Sequence, residues 1–106
     1  MVKRFEVYLV NLDPEPSDDA RNTRPCCVVS PDEMNGHIAT VIVAPLTSTD
    51  KKYPTRVPAV FLNGERIIVL DQLRTVDRVR LVKKIGEIDE PARRVTLERL
   101  QEMFAE

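Results

Sequence analysis

Four short polar clusters stand out as residues able to do chemistry: Arg24-Pro25, Thr47-Ser48, Asp71-Gln72 and Arg74-Thr75. A guanidinium can fork onto a phosphate or a carboxylate, a hydroxyl can hold an anionic oxygen, and a carboxylate can accept a proton. Each cluster also has an ordinary structural explanation. Arg24 could form a surface ion pair, Thr47-Ser48 could be turn residues, and Asp71 could satisfy backbone donors at a turn. The commoner signatures are missing. The sequence has no phosphate-binding glycine loop, no dinucleotide fingerprint and no metal-ligand cluster. His37 is the only histidine, which excludes a two-histidine ribonuclease mechanism, and its setting is that of a surface turn residue.

All four clusters sit at or near the ends of strand-like segments, so a fold that gathers strand ends would bring them together. Residues 5–12 (FEVYLVNL) alternate as a strand, with Phe5, Val7 and Leu9 on one face. Residues 13–23 follow as a polar loop with two prolines and no periodicity, of a length often used for function. Residues 26–30 (CCVVS) predict a short buried strand, and 32–37 a turn or one helical turn. Residues 39–46 (ATVIVAPL) predict a central strand that ends or bulges at Pro45, which has no N–H for a ladder. After a polar loop over 47–54, residues 56–62 and 65–70 form two strands around Asn63-Gly64, a strong hairpin signal. Further strands are predicted at 73–76 and 82–88. Asp89 then has the place of a helix N-cap, with Pro91 in the first turn, and Ala92, Val95, Leu100, Met103 and Phe104 recur at near-helical spacing. Short strands, tight turns and one terminal amphipathic helix predict a mainly β protein, a small closed or half-closed barrel with a C-terminal α-helix.

The totals fit that picture. A chain of 106 residues suits one domain. It is 42% hydrophobic and 31% charged, a globular balance, and Val and Ile rather than aromatics (5%, no Trp) supply the apolar mass. A net charge of -1 excludes a uniformly basic surface, but charge is uneven. Residues 1–20 are net acidic, while Arg74, Arg78, Arg80, Lys83 and Lys84 stand against Asp77 alone over 72–84. Such a run is either a solvated face or a strip that attracts phosphates. Cys26 and Cys27 are adjacent, which makes neither a disulfide framework nor a zinc site; two free thiols predict a reducing cytoplasm. No apolar stretch is long enough to span a bilayer, and no apolar segment follows Lys3 and Arg4 as in a signal peptide.

The order of the blocks resembles the MazF/PemK/Kid family of toxins from toxin–antitoxin pairs. The matching segments are VYLVNLDP at 7–14, TRPCCVVS at 23–30, VIVAPLTS at 41–48 and VLDQLRTVD at 69–77, followed by RL and KKIG within 80–86. The resemblance covers nearly the whole chain, and its specificity lies in the DP…RP spacing together with the DQ-L-RT block. It implies an SH3-like β-barrel that works as a homodimer and cuts single-stranded RNA, mostly messenger RNA, without a metal or other cofactor. The implied chemistry is attack by the 2′-hydroxyl on the adjacent phosphate, leaving a 2′,3′-cyclic phosphate and a 5′-hydroxyl. A small antitoxin, of a kind that can itself bind DNA, is the implied protein partner.

Carried onto this sequence, the resemblance makes Arg24 the arginine that stabilises the transition state, with a possible share in proton transfer to the leaving oxygen. Thr47 becomes the hydroxyl that binds the scissile phosphate. Asp71 matches an acidic position used as a base in some members, and Asp19 is the second candidate for that role. For RNA binding, Tyr53 and Arg21 are stacking candidates, Lys51 and Lys52 can hold phosphates, and Ser48, Asn22, Gln72 and Arg74 lie beside the catalytic positions. The chain departs from the family in its first loop: Ser17 to Asn22 (SDDARN) stands where G-S-E-Q-x-G is common, so both glycines are replaced and Ala20 takes the glutamine's place. Val69 stands where one branch has a further arginine. Two other readings compete. A binding toxin of the same barrel that inhibits DNA gyrase would not depend on Arg24 and Thr47, and it relies on C-terminal residues that 103–106 do not resemble. An SH3-like peptide-binding module would need an aromatic groove, which two tyrosines and no tryptophan do not supply.

Overall fold

The structure, a computed structural model, describes residues 1–13, 22–49, 53–62 and 64–106. Its strands are β1 (Glu6–Asn11), β2 (Thr23–Val28), β3 (Thr40–Thr47), β4 (Arg56–Phe61), β5 (Gly64–Val69), β6 (Arg74–Asp77) and β7 (Leu81–Glu87). A one-turn helix α1 (Asp32–Asn35) leads into β3, and α2 (Glu90–Phe104) follows β7. The strands form one antiparallel sheet in the order β4-β5-β3-β2-β1-β7, with β6 also paired to β3. The sheet curls into a half-barrel with α2 packed against it, the mainly β architecture that the strand pattern predicts.

β3 organises the sheet. Along one edge it pairs with β2; along the other it pairs with β6 over residues 40–43 and with β5 at Leu46 and Thr47. Pro45 falls between these two neighbours. The strand therefore does not end at Pro45, as the missing donor suggested; it changes partner there and runs on to Thr47. The chain between β5 and β6 makes the changeover through a 3-10 turn, Leu70–Gln72.

The two faces of the sheet carry separate clusters. Phe5, Val7, Cys27, Leu46, Val57, Phe61, Ile68 and Leu70 pack with Ile88 and Ala92 under α2. On the other face Val10, Cys26, Val28, Val41, Val43 and Val76 form a second cluster, flanked by Tyr8 and Leu81. Period-2 alternation along β2 and β3 feeds both at once, which is why these segments are so evenly apolar. Phe61 lies against Gly86, where any Cβ would overlap its ring.

α2 begins as the sequence indicates. The Asp89 carboxylate accepts from the Ala92 N–H, and Pro91 lies in the first turn. Ala92, Val95, Leu97, Leu100 and Met103 face the core, but Phe104 is 74% exposed at the helix end. The expected stripe thus ends at Met103, which packs on the core cluster, while Phe104 does not. Two short 3-10 turns, Leu70–Gln72 and Arg78–Arg80, had no periodicity to reveal them. Phe61 pairs with Gly64, which opens β5, so the hairpin turn falls one residue earlier than the Asn63-Gly64 signal suggested; Leu62 (φ 50°) lies in it, and Asn63 lies outside the described residues. Among the described residues, no helix is long and apolar enough to cross a membrane.

Candidate active site

Strand register places Arg24, Thr47 and Arg74 on one face, while Asp71 and Gln72 lie in a 3-10 turn outside the ladder. Arg24 on β2 pairs with Val10 on β1, and Val10 belongs to the cluster on the face away from α2. Cys26 pairs with Pro45 and Val28 with Val43; the same register carried two residues on sets Arg24 opposite Thr47. Thr47 pairs with Ile67 on β5, and Ile67 with Pro58 on β4. Residues directly opposite in an antiparallel sheet point to the same side. A single row of side chains, Val10, Arg24, Thr47, Ile67 and Pro58, thus crosses the sheet. Arg74 on β6 pairs with Val43 and lies on this face too.

Arg24 and Arg74 approach the same thiol from different strands. Burial pushes Cys26 up to about 11, and the Arg24 and Arg74 guanidinium groups both oppose that rise. Among the described residues neither arginine has a hydrogen-bond or ion-pair partner, and both are exposed. Arg24, which register sets opposite Thr47, and Arg74, four residues further back along β3, are guanidinium groups of the kind that can hold an anion. The Thr47 hydroxyl accepts from the Thr49 N–H at 3.2 Å, which orients its oxygen and leaves its proton available for donation. Ser48 and Gln72 are exposed beside this face.

Asp71 is differently placed. Its Oδ1 accepts from the Thr55 hydroxyl and from Arg56 Nε, both at 2.9 Å, and its Oδ2 from Arg56 Nη2 at 3.3 Å. The Arg56 pair holds its carboxyl below the ordinary value of 3.8. The same guanidinium lies 5.4 Å from the centre of the Tyr53 ring. Arg56 was not among the residues singled out from the sequence; the Arg at the start of an alternating strand was its only signal.

Much of the basic run over 72–84 is used to hold the fold. Arg78 donates to the Asn35 carbonyl, Arg80 to the Asn11 and Asp13 carbonyls, and Lys84 pairs with Glu6 at 2.7 Å. Asn22 donates to the Asp13 carboxylate at 2.9 Å, tying the two ends of the first loop. Asp19, Arg21, Lys51 and Lys52 lie outside the described residues. His37 is exposed, next to α1. Among the described residues, no group of three or more His, Cys, Asp or Glu side chains is placed to hold a metal ion.

Residues 3–104 match the model of a family described as PemK-like, MazF-like toxin of type II toxin–antitoxin systems. Over 96 residues the chain is 33% identical to the endoribonuclease MazF of Staphylococcus epidermidis, covering 85% of this chain and 80% of that protein. A mycobacterial endoribonuclease solved in complex with its cognate antitoxin has the same fold, with a TM-score of 0.80 at 23% identity over 96% of this chain and 93% of that one. A chain from a MazE–MazF structure of Deinococcus radiodurans gives a TM-score of 0.78 at 20% identity, over 98% of this chain and 95% of that one.

Proposed function

The chain belongs to the PemK-like, MazF-like family of type II toxins, and from that premise we propose that it is an endoribonuclease that cuts single-stranded RNA, mainly messenger RNA, at chosen sequences without a metal. The observation that carries this reading is that Arg24 and Arg74, without a partner among the described residues, lie on the face where register sets Arg24 opposite Thr47. A gyrase-binding toxin has no need of such an anion site.

In the proposed reaction the substrate's 2′-oxygen forms a bond to phosphorus, and the bond from phosphorus to the 5′-oxygen breaks. The products are a 2′,3′-cyclic phosphate and a 5′-hydroxyl. Arg24 neutralises the charge that builds on the non-bridging oxygens, with Arg74 beside it. The Thr47 hydroxyl donates to one of those oxygens. The 2′-hydroxyl loses its proton to a carboxylate base and the 5′-oxygen takes one from water, a transfer that the Arg24 guanidinium assists in this proposal. For the base, the family pattern offers Asp71 and Asp19. The Arg56 pair makes Asp71 a poor proton acceptor, so in this proposal Asp71 holds Arg56 and Asp19 takes the acidic role.

The proposal includes a homodimer and a small antitoxin that covers the RNA groove. A relative with this fold is solved with its cognate antitoxin, which supports that partner class. Two buried, free thiols at Cys26 and Cys27 suit a cytoplasmic protein.

Arg24→Ala tests the site. Because Arg24 is exposed and has no hydrogen-bond or ion-pair partner among the described residues, the variant should keep its melting temperature and lose cleavage by about 10²-fold or more. A folded Arg24→Ala that cuts at the parent rate removes Arg24 from the mechanism.

A further inference from the structure

The outer face of β4 and β5 holds a cleft of about 420 Å³, lined by Ser48, Tyr53, Arg56, Val60, Glu65 and Ile67 among others. That volume lies in the range of small-ligand sites, roughly 300–1,000 Å³. The cleft adjoins the anion site, since Ile67 is the direct cross-strand partner of Thr47 and Ser48 follows Thr47 in the chain. It is therefore one residue step along the same row from the place where a phosphate would sit.

Its chemistry is mixed in a particular way. Tyr53 is 56% exposed, with the Arg56 guanidinium beside its ring, and Asp71 fixes that guanidinium from behind. Val60 and Ile67 give an apolar floor. Glu65, the cross-strand partner of Val60, is exposed at the hairpin end and forms no ion pair among the described residues. An aromatic ring and a guanidinium plane beside an apolar floor suit a flat, unstacked base. An ionised carboxylate only accepts hydrogen bonds, so it favours a base edge that carries an amino group over uracil, whose single edge donor, N3–H, lies between two carbonyl oxygens that the carboxylate repels.

We propose that this cleft is a nucleobase subsite of the RNA groove, next to the scissile phosphate, and that Glu65 makes it select a base bearing an exocyclic amino group over uracil. The proposal rests on the ribonuclease reading. Tyr53 and Arg56 supply the stacking surface, and Glu65 the discrimination.

Two measurements separate failure of the subsite from failure of that reading. The first sequences the cut ends produced from a random single-stranded RNA pool. Wild type should disfavour uracil at one position beside the cut. Glu65→Gln, whose amide can also donate, should lose that preference while still cutting, and Tyr53→Ala should lower kcat/KM about tenfold. The second titrates a short random oligoribonucleotide into the Arg24→Ala protein and follows backbone amide resonances. The Val60 and Ile67 amides should shift, and they should do so even if the protein cuts no RNA. Cleavage with an unchanged motif in Glu65→Gln, or RNA binding that leaves Val60 and Ile67 unmoved, overturns the subsite. Neither cutting nor binding overturns both readings together.

Discussion

Asp71 shows how an ion pair can decide between two roles for one carboxylate. A general base needs a pKa near the working pH, and Arg56 drives Asp71 the other way. Its two oxygens also accept three hydrogen bonds already. Asp71→Asn keeps an acceptor oxygen and much of the shape, so cleavage should fall by less than about 100-fold, and the acidic limb of the pH–rate profile should persist. Loss of that limb together with a larger fall would assign Asp71 as the base. The buried thiols belong to the same scale. With Cys26 at about 11 and Cys27 at about 12, both stay protonated near neutral pH, and neither is a nucleophile.

At the scale of elements, β1 is pinned by Glu6. Its carboxylate accepts from the Lys3 amide at 2.7 Å and the Tyr8 hydroxyl at 3.1 Å, and pairs with Lys84 on β7. Burial pushes the Glu6 carboxyl up, but Lys84, the Lys3 amide and Tyr8 together outweigh this and hold it below the ordinary 4.5. A lowered folded pKa contributes stability that is present above 4.5 and is lost as the pH falls through the folded value. The melting temperature should therefore drop in acid below pH 4.5, and Glu6→Gln should flatten that part of the curve. Near neutral pH the same variant should cost about 1–2 kcal/mol in denaturant unfolding. An unchanged acid limb in Glu6→Gln would mean that other carboxylates carry the dependence. Gly86→Ala tests the sheet more simply. Its new Cβ would drive into the Phe61 ring, and about 1–3 kcal/mol of stability should be lost.

The elements themselves were largely legible. Alternation marked β1, a near-continuous apolar run marked β3, the Asn63-Gly64 signal marked the β4–β5 pair, and the Asp89 cap with Pro91 marked the start of α2. Misreadings arose where tertiary context outweighed a local signal. Pro45 looked like a strand end, but β3 exchanges one neighbour for another there. Phe104 fitted the helical stripe, yet it is exposed and does not pack on the core cluster. The site was legible only as separate strand ends. That Arg24 faces Thr47 is a matter of register, which composition does not carry. The Arg56–Asp71 pair joins residues on different segments and has no sequence pattern of its own.

For the whole molecule, the near-zero net charge hides a division of labour. Arg78, Arg80 and Lys84 are tied to carbonyls or to Glu6, so the basic run is mostly structural. Arg24 and Arg74 have no such partner among the described residues and lie on the face away from α2, where we propose they meet phosphate. The fold is that of MazF structures, while Ser17 to Asn22 departs in sequence from the family pattern, so the cleavage motif is proposed to be the protein's own. The most direct test of the central claim incubates the purified protein with a long single-stranded RNA in excess EDTA and maps the cut ends. Discrete cuts that leave 2′,3′-cyclic phosphate and 5′-hydroxyl ends are the predicted result. Cutting that stops in EDTA and returns with a divalent ion, or no cutting by a folded protein that still arrests growth, would contradict it.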